Sequence, residues 1–582
     1  MTAAVQTRAT QTRSLGRMLT APMALLALAV LFCVVLLSLP ITLTIGPMYW
    51  DVYIYYDAAN RIFSGQVPII DFFAPIGPLT YYIFAGMTVL FPNAQPSLLA
   101  PWTILPISIP LMALLVSDVA PRSRGTALAL VIPFLFFTLV PFNSREFYPV
   151  IGSDAFGIYN RQSCQLLYVL VASFLFVRDA RKLVALVALT MAATFFLKIT
   201  GFVAGGLICA YALIAGRISI RAALAVAAIF LGIAALVELS SGLVSAYLFD
   251  IARLVSMNSG GLLSRFREAL AVDFDIAFFT GSLCLVLAVI EFKSRFWSRA
   301  DFGAAGIWGR INTIMNLPVG WLAAVLVTAI FFETQNTGSQ GFIFLWPVLL
   351  LTVLKAPKLM GKPVLLGTVL VLVAAVALPT AINIFQRAAR TYIGGLNNPD
   401  LPNTHLKTLG QVNARPEYLE RAERMSVFYP SHRQTYDDLI AIGEYPTSIF
   451  FAEPHFQVLF LTEMDKAIEA MRKIEAERGI RFETIMSMGF VNPFPWLMDR
   501  TAPLAVSIGA DPFRTVAEPG PKEFAAVSGS DIVLYPTCPV TLNSDAILKL
   551  YEPAIAADTR IALTPCYDAY INPRFAGKGA AN

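Results

Sequence analysis

Residues 18–51 read MLTAPMALLALAVLFCVVLLSLPITLTIGPMYWD, an uncharged run that stops at Asp51. Three basic residues, Arg8, Arg13 and Arg17, precede it. The run is longer than the roughly 20 apolar residues that a bilayer-spanning helix needs, whereas a signal peptide has a shorter apolar core and a small-residue cleavage site. We therefore predict an uncleaved first transmembrane helix within Met18–Trp50, with a cytoplasmic N-terminus.

The same apolar character continues through the first two thirds of the chain. Hydrophobic residues make up 57% of the 582 residues and charged residues 14%, with a mean hydropathy of +0.66. Soluble domains carry about 25% charged residues, so the bilayer must be the main solvent. Further apolar segments lie near 97–117, 125–141, 162–177, 183–197, 200–216, 222–240, 276–290, 317–332, 341–354 and 363–384. The prediction is an α-helical polytopic membrane protein of about eleven transmembrane helices.

The composition changes near residue 385. From Arg387 onward, charged residues occur at the density of a soluble protein, and all three histidines lie in this part. We therefore predict a transmembrane domain over residues 1–384 and a soluble α/β domain over residues 385–582.

The C-terminal part shows both helix and strand signals. An apolar stripe over residues 464–474, preceded by a capping-box-like Thr462 and followed by Gly479, predicts an amphipathic helix. Residues 531–536 and 560–564 are typical of short strands with a helix between them. This mixture is the basis of the α/β prediction.

Charge placement predicts the topology. Residues 72–117 contain no charge and could hold one span or two. With one span at 97–117 and a surface helix at 77–91, most loop Lys and Arg residues fall on the cytoplasmic side, as the positive-inside rule requires. These basic groups lie at the N-terminus and at 122–124, 178–182, 217–221, 293–310 and 355–362. The loops at 46–95, 142–161, 198–200, 241–274 and 333–340, and the C-terminal domain, are then on the outer side. We expect a multi-pass protein of a bacterial inner membrane with a periplasmic C-terminal domain.

The first outer loop is dense in aromatic rings and carboxylates. Asp51 directly follows the predicted first span, where its carboxylate could take a proton from an acceptor hydroxyl at the membrane surface. The alternative for Asp51 is a charge that merely flanks a helix. Asp57 is a second catalytic candidate, and Asp71 and Tyr55 are candidate substrate contacts; both aspartates could instead be helix-cap or turn residues.

This loop resembles that of the GT-C superfamily of polyprenyl-phosphate-sugar-dependent glycosyltransferases. The resemblance covers about residues 18–384 and is strongest at Asp51, Gly65-Gln66-Val67-Pro68, Asp71-Phe72-Phe73 and Gly77-Pro78-Leu79. It implies that Asp51 acts on the acceptor, and that Asp57–Ser64 and Gly77–Phe91 form two short helices along the membrane surface.

Two positions depart from the family pattern. Many members have Asp-Glu where this chain has Asp51-Val52, and others have His-Pro-Pro where it has Ile76-Gly77-Pro78. The resemblance therefore implies the general chemistry but not the sugar.

The second outer loop holds further candidates. Family members often place a second acidic residue here, and Asp154 matches it as a catalytic candidate. Tyr159 and Asn160 are candidate substrate contacts, with an ordinary solvated loop as the alternative. Gln335, in the later turn before residue 341, could also bind sugar hydroxyls or belong to a plain polar turn.

Lys198 interrupts the apolar run at 195–202. A lysine there is costly unless it snorkels to the surface or meets an anion. The Lys198-Ile199-Thr200-Gly201 element is similar to the family's turn between two core helices. Together with Arg161 or Arg145, Lys198 would neutralise the phosphate that leaves with the donor lipid.

These candidates predict a hexosyl- or pentosyltransferase that uses a polyprenyl-phosphate-linked donor drawn from membrane lipid. The acceptor would be a periplasmic glycan, lipid or protein, and a single displacement would invert the anomeric carbon. The alternative is a transporter or flippase of lipid-linked glycans. The gathering of carboxylates at one surface favours the transferase.

Other classes find less support. No cluster of Lys or Arg could follow a nucleic-acid backbone, and His405, His432 and His455 lack metal-ligand spacing, so no cofactor is certain and a divalent metal is unsupported. Four cysteines, Cys33, Cys164, Cys209 and Cys284, lie in apolar stretches. Cys538 and Cys566 are either free thiols or, in an exported domain, a disulfide.

Overall fold

The structure of this protein is a computed structural model, and it describes residues 21–145, 151–153, 155–257, 261–296, 307–335, 339–444, 446, 453–516 and 518–576. Helices dominate it, as the sequence predicts.

Most helices of the apolar part lie at the predicted segments, but Leu243–Met257, Leu262–Val272 and Ile307–Met315, which were predicted to lie in loops, are also helical. They are α1 (Pro22–Ser38), α2 (Asp51–Phe63), α3 (Leu79–Leu90), α4 (Pro96–Trp102), α5 (Leu105–Val119), α6 (Arg124–Leu139), α7 (Ile158–Phe176), α8 (Ala180–Leu197), α9 (Ile199–Ile214), α10 (Ile220–Ser241), α11 (Leu243–Met257), α12 (Leu262–Val272), α13 (Phe274–Phe296), α14 (Ile307–Met315), α15 (Pro318–Glu333), α16 (Trp346–Lys355) and α17 (Pro363–Gly394). Short 3-10 helices cover Gly341–Leu345 and Ala356–Leu359.

Among the described residues, five helices are long and apolar enough to cross a bilayer. The number rises to seven if each of two bent pairs, α4 with α5 and α14 with α15, forms one span. Four shorter apolar helices, α1, α3, α6 and α9, accompany them. The protein is therefore a multi-pass membrane protein, and the count of eleven spans stays a prediction.

Helix α10 shows how the apolar exterior arises. None of its residues is buried, although its sequence is apolar on every side. An apolar helix without a buried face is unstable in water but suits a lipid environment. The exposed side chains of Leu224, Leu231, Leu236 and Leu239 are the surface that lipid would cover.

The predicted helix fills the run Met18–Trp50 up to Asp51, and the observed helix α1 is shorter. Helix α1 ends at Ser38, because Pro40 cannot continue it. Strand β1 (Leu43–Thr44) follows and pairs in parallel with β2 (Val412–Asn413) of the C-terminal part. Asp51 therefore begins a separate helix, α2, instead of directly following the first span.

The two short helices expected in the first outer loop are α2 and α3. Helix α3 covers nearly all of the predicted segment 77–91. Helix α2 begins six residues earlier than the predicted Asp57. The two helices pack on each other through rings, with centroids 5.3 Å apart for Tyr55 and Phe84 and 5.0 Å apart for Tyr56 and Phe84.

The chain beyond Gly394 contains helices around a small sheet. The helices are α18 (Pro416–Ser431), α19 (Arg433–Ala441), α20 (Pro454–Arg478), α21 (Phe494–Met498), α22 (Pro521–Ser528), α23 (Leu542–Ile555) and α24 (Pro573–Ala576). The strands β3 (Ile485–Ser487), β4 (Ile532–Pro536), β5 (Thr559–Thr564) and β6 (Tyr567–Ile571) form a sheet in the order β3-β4-β6-β5, with β3 parallel to β4.

The expected amphipathic helix is longer than its pattern suggested. Helix α20 begins at Pro454, so Thr462 lies inside it and donates to the Val458 carbonyl instead of capping the start. The helix ends before Gly479, whose φ of +60° provides the left-handed cap. Met464, Ala467, Ile468 and Met471 of the predicted stripe are buried.

The C-terminal part packs directly against the first outer loop. The Tyr49 hydroxyl donates to the Leu409 carbonyl at 3.1 Å. The Ala505 and Ile508 amides donate to the carbonyls of Asp71 and Phe73 at 2.6 and 3.0 Å. These bonds fix the loop between the membrane helices and the sheet-containing part; the division at residue 384 stays a prediction.

Cys538 and Cys566 form a disulfide in the structure, while the other four cysteines are free. Disulfides persist in oxidising compartments and are rare in the cytosol.

Peptide mapping of unreduced protein from membranes is expected to recover the 538–566 cross-link. Alkylation of both thiols without prior reduction would contradict the disulfide and argue against the outer placement of this part.

Candidate functional site

Asp51 is the first residue of α2 and is partly buried. Its Oδ2 atom accepts a hydrogen bond from the Gly157 amide at 3.4 Å. Gly157 precedes α7 with a φ of +63°, a conformation in which a side chain would be strained. The carboxylate therefore faces the N-terminal turn of α7, where exposed amides favour negative charge.

Tyr55 lies one helical turn after Asp51 and is almost fully buried. Burial, followed by the charges of Tyr159 and Asp51, raises the pKa of the Tyr55 phenol well above its usual value. The phenol thus stays neutral and keeps its proton as a hydrogen-bond donor beside the carboxylate. Asp51 also interacts electrostatically with Tyr159, so the predicted contacts Tyr55 and Tyr159 both lie around it.

Lys198 occupies the single-residue break between α8 and α9. Its Nζ atom donates to Asn160 Oδ1 at 2.6 Å and lies 4.7 Å from the centroid of the Tyr159 ring. The ammonium group therefore contacts the same first turn of α7 that faces Asp51. An amide oxygen and an aromatic face are both favourable neighbours for a cation.

The first outer loop also holds the turn that carries Lys198. The Gly77 amide donates to the Leu197 carbonyl at 2.9 Å. A Cβ atom at Gly77 would collide with the Phe196 carbonyl, so only glycine allows this approach. This gives a physical reason for the Ile76-Gly77-Pro78 sequence in this chain.

Asp51 and Lys198 thus converge on one helix end. Their partners, Gly157 and Asn160, are three residues apart, which is roughly 5 Å along a helix axis. A carboxylate that can accept a proton and a cation that can bind a phosphate thus contact the start of the same helix.

Two arginines extend the positive region. Arg161 is 2% exposed and donates from Nη2 to Asn143 Oδ1 at 2.9 Å. Arg387 is also buried, and its Nη1 donates to the Asn143 carbonyl at 3.0 Å. Asn143 of the second outer loop therefore contacts two guanidinium groups. One of them belongs to Arg161, the residue after Asn160.

Arg145 has a different environment. It forms ion pairs with Asp273, at 3.1 Å, and with Asp275, and about a third of its side chain is exposed. Two carboxylates already balance its charge.

The structure does not place the other candidates in this region. Asp71 accepts from the Val67 amide at 2.7 Å, which is a turn-closing contact. Gln335 is exposed and accepts from Arg265 Nη1 at 3.4 Å. Asp154 lies outside the described residues.

Asp57 belongs to a buried ion pair. Its carboxylate accepts from Arg61 Nε at 2.8 Å, and both side chains are at most 2% exposed. The same guanidinium donates to the Pro503 carbonyl at 2.7 Å and to Gln66 Oε1 at 3.3 Å. Asp57 therefore helps to join the first outer loop to the C-terminal part.

Sequence reasoning missed three charged residues here. Arg514, in the C-terminal part, interacts electrostatically with Tyr159 and Lys198. Glu333, in the same turn as Gln335, is 6% exposed and interacts with Lys198. In the sequence, Arg387 indicated only the point where the chain becomes richer in charged residues. A basic residue just after an apolar run was a usable signal for Arg387, whereas nothing local distinguishes Arg514.

Among the described residues, no group of three or more His, Cys, Asp or Glu side chains could hold a metal ion. The site is built from the carboxylates of Asp51 and Glu333, tyrosines, amides and cations.

Comparison with known proteins gives matches at the level of structure alone. No family model matches the chain, and no curated protein matches its sequence. ArnT from Cupriavidus metallidurans bound to undecaprenyl phosphate matches with 13% identity and a TM-score of 0.41, over 95% of this chain and 98% of that chain. The archaeal oligosaccharyltransferase AglB from Archaeoglobus fulgidus, in complex with an inhibitory peptide and a dolichol-phosphate, matches with 11% identity and a TM-score of 0.31, over 95% of this chain and 74% of that chain.

Because the TM-scores lie below 0.5, we infer the function from this chain's own residues.

The role of Asp57 can be separated from that of Asp51 by a double-mutant cycle. Arg61→Met leaves a buried carboxylate without its cation, which costs about 3–5 kcal/mol, so the melting temperature of the full-length protein should fall by several degrees. The double variant Asp57→Leu/Arg61→Met removes both charges and should recover most of that loss and retain activity. A double variant that melts normally but is inactive would show that Asp57 takes part in the chemistry.

Proposed function

We propose that this protein is a membrane glycosyltransferase. It transfers a sugar from a polyprenyl-phosphate donor to an acceptor on the outer side of a bacterial inner membrane, with inversion at the anomeric carbon. The observation that carries the proposal is the convergence of Asp51 and Lys198 on the first turn of α7.

The nucleophile is an acceptor hydroxyl. Asp51 accepts its proton while the acceptor oxygen forms a bond to the anomeric carbon. The neutral phenol of Tyr55, next to this carboxylate, is placed to donate a hydrogen bond to the carboxylate or to the sugar.

The leaving group is the lipid phosphate. As the bond from the anomeric carbon to the phosphate oxygen breaks, its electron pair stays on the phosphate, which gains negative charge. Lys198 and Arg161 lie on the cationic side of the site and stabilise that charge. Arg514 adds a cation from the C-terminal part, and Arg145 forms an outer layer.

The multi-pass architecture provides access to a lipid-linked donor. A polyprenyl chain dissolves in the bilayer, so its phosphate arrives at the ends of the membrane helices, where α8 gives way to α9 at Lys198. The acceptor approaches from the aqueous side, where the C-terminal part meets α2. This arrangement suits a periplasmic acceptor.

Replacing Asp51 tests the proton-transfer step. In reconstituted full-length protein supplied with a labelled polyprenyl-phosphate sugar, Asp51→Asn and Asp51→Ala should lower kcat by about 10²–10⁴-fold, because a positioned general base contributes that much. Donor binding should change little. Normal turnover in both variants would remove the catalytic assignment.

The same liposomes distinguish the transporter alternative. Movement of the labelled donor across the bilayer without formation of a glycosidic bond would favour a flippase and contradict the proposal.

Replacing Lys198 tests the phosphate side. Lys198→Met should lower kcat by about 10²–10³-fold, as expected for loss of a preorganised group that stabilises developing charge. Lys198→Arg should recover part of the rate, because the positive charge returns.

A lysine on the same helix provides the matched control. Lys182 lies at the opposite end of α8 and donates to Ser117 Oγ at 2.8 Å. Lys182→Met should leave the rate near that of the wild type. Equal losses in the two methionine variants would point to helix damage instead of a phosphate contact.

A further inference from the structure

A cavity lies between the start of α2 and the C-terminal part. Rings from four segments of the chain form its walls, namely Trp50, Phe456, Phe460, Phe490 and Tyr567. The disulfide between Cys538 and Cys566 forms another wall. A mostly apolar lining with a few polar groups is typical of small-molecule sites.

Polar groups interrupt the apolar wall at a few points. Glu463, Thr541, Asn543 and Ser544 also line the cavity, and each is less than 10% exposed. Buried polar atoms weaken the binding of a hydrocarbon, because such a ligand offers them no hydrogen bond. A lipid tail therefore suits the cavity poorly.

The charge of the lining excludes another class of ligand. Of the described residues that line the cavity, none is Lys, Arg or His, and one is the acid Glu463. Glu463 is paired with Lys466 at 2.7 Å, outside the lining. A phosphate or carboxylate would thus find no cation in the lining, and a buried anion without a cation is unfavourable. Neutral sugar rings combine apolar C–H faces, which pack on aromatic rings, with hydroxyls that bond to carboxylate and amide groups.

The cavity adjoins the Asp51 site on two sides. Trp50 in its wall is the residue before Asp51, and its ring centroid lies 5.4 Å from that of Phe490. On the other side, Asn543 Nδ2 donates to Asp511 Oδ1 at 3.4 Å. The Asp511 turn carries Arg514, which interacts with Lys198.

We propose that this cavity binds a neutral sugar ring of the acceptor, so that the acceptor is a carbohydrate chain whose next hydroxyl reaches Asp51. The proposal rests on the proposed glycosyltransferase function and narrows its substrate class. The sugar ring stacks on the aromatic side chains of the cavity, and the polar groups in the wall select the orientation of that ring.

The test is binding of full-length protein in nanodiscs, free of sugar-headed detergent, to an array of neutral and anionic oligosaccharides. We expect the wild type and Asp51→Asn to bind neutral oligosaccharides. Asn543→Leu removes an amide and Phe460→Leu removes a ring, while both keep apolar volume. Each should weaken oligosaccharide binding about tenfold, because one hydrogen bond or stacking contact contributes about 1 kcal/mol. Ser528→Ala, on an exposed part of α22, is the control and should bind like the wild type.

Three results would overturn the assignment: no neutral oligosaccharide bound by the wild type, preference for anionic ones, or unchanged binding in both leucine variants. A neutral alkyl dye provides a second measurement: we expect the wild type to bind it more weakly than a neutral oligosaccharide, and stronger binding of the dye would also overturn the assignment. Sugar transfer by a protein that binds no glycan would overturn only the cavity assignment. Glycan binding by a protein that transfers no sugar would instead overturn the proposed function.

Discussion

The first turn of α7 is the constraint on which the site depends. Gly157 and Asn160 lie within that turn, and each contacts one of the two charged groups from elsewhere in the chain. Asp51 comes from the start of α2 and Lys198 from the break between α8 and α9. Because a helix end is rigid, the separation of carboxylate and ammonium is fixed by helix geometry instead of by loop conformation.

The C-terminal part belongs to this construction. It holds α2 through a parallel strand pair, the Tyr49 hydroxyl and the Arg61 guanidinium, and each such hydrogen bond contributes about 1 kcal/mol. It also supplies Arg514, and it closes the cavity beside Trp50. Movement of this part relative to the membrane helices would shift Asp51, so binding of an acceptor is linked to the geometry of the carboxylate.

The sequence predicted what local patterns determine. Apolar segments located most helices of the membrane part, because a run of apolar residues is a local property. They did not locate α11, α12 and α14, which lie in stretches predicted as loops. Lys198 and Asp51 were recognisable because each is a charge beside a long apolar run. Pro40 was a local signal for the end of α1, whereas strand β1 was not recognisable, because its partner Asn413 lies 369 residues away. Long-range contacts likewise set the surroundings of Asp57, Asp71 and Arg514, and single-sequence patterns do not report them.

Cryo-electron microscopy of the full-length protein in nanodiscs with polyprenyl phosphate tests the central claim most directly. The account predicts a phosphate within about 3 Å of Lys198 Nζ, a normal hydrogen-bond distance, with the Asp51 carboxylate facing it across the first turn of α7. A phosphate bound at a site remote from Lys198, or an Asp51 carboxylate turned away from that turn, would contradict the account.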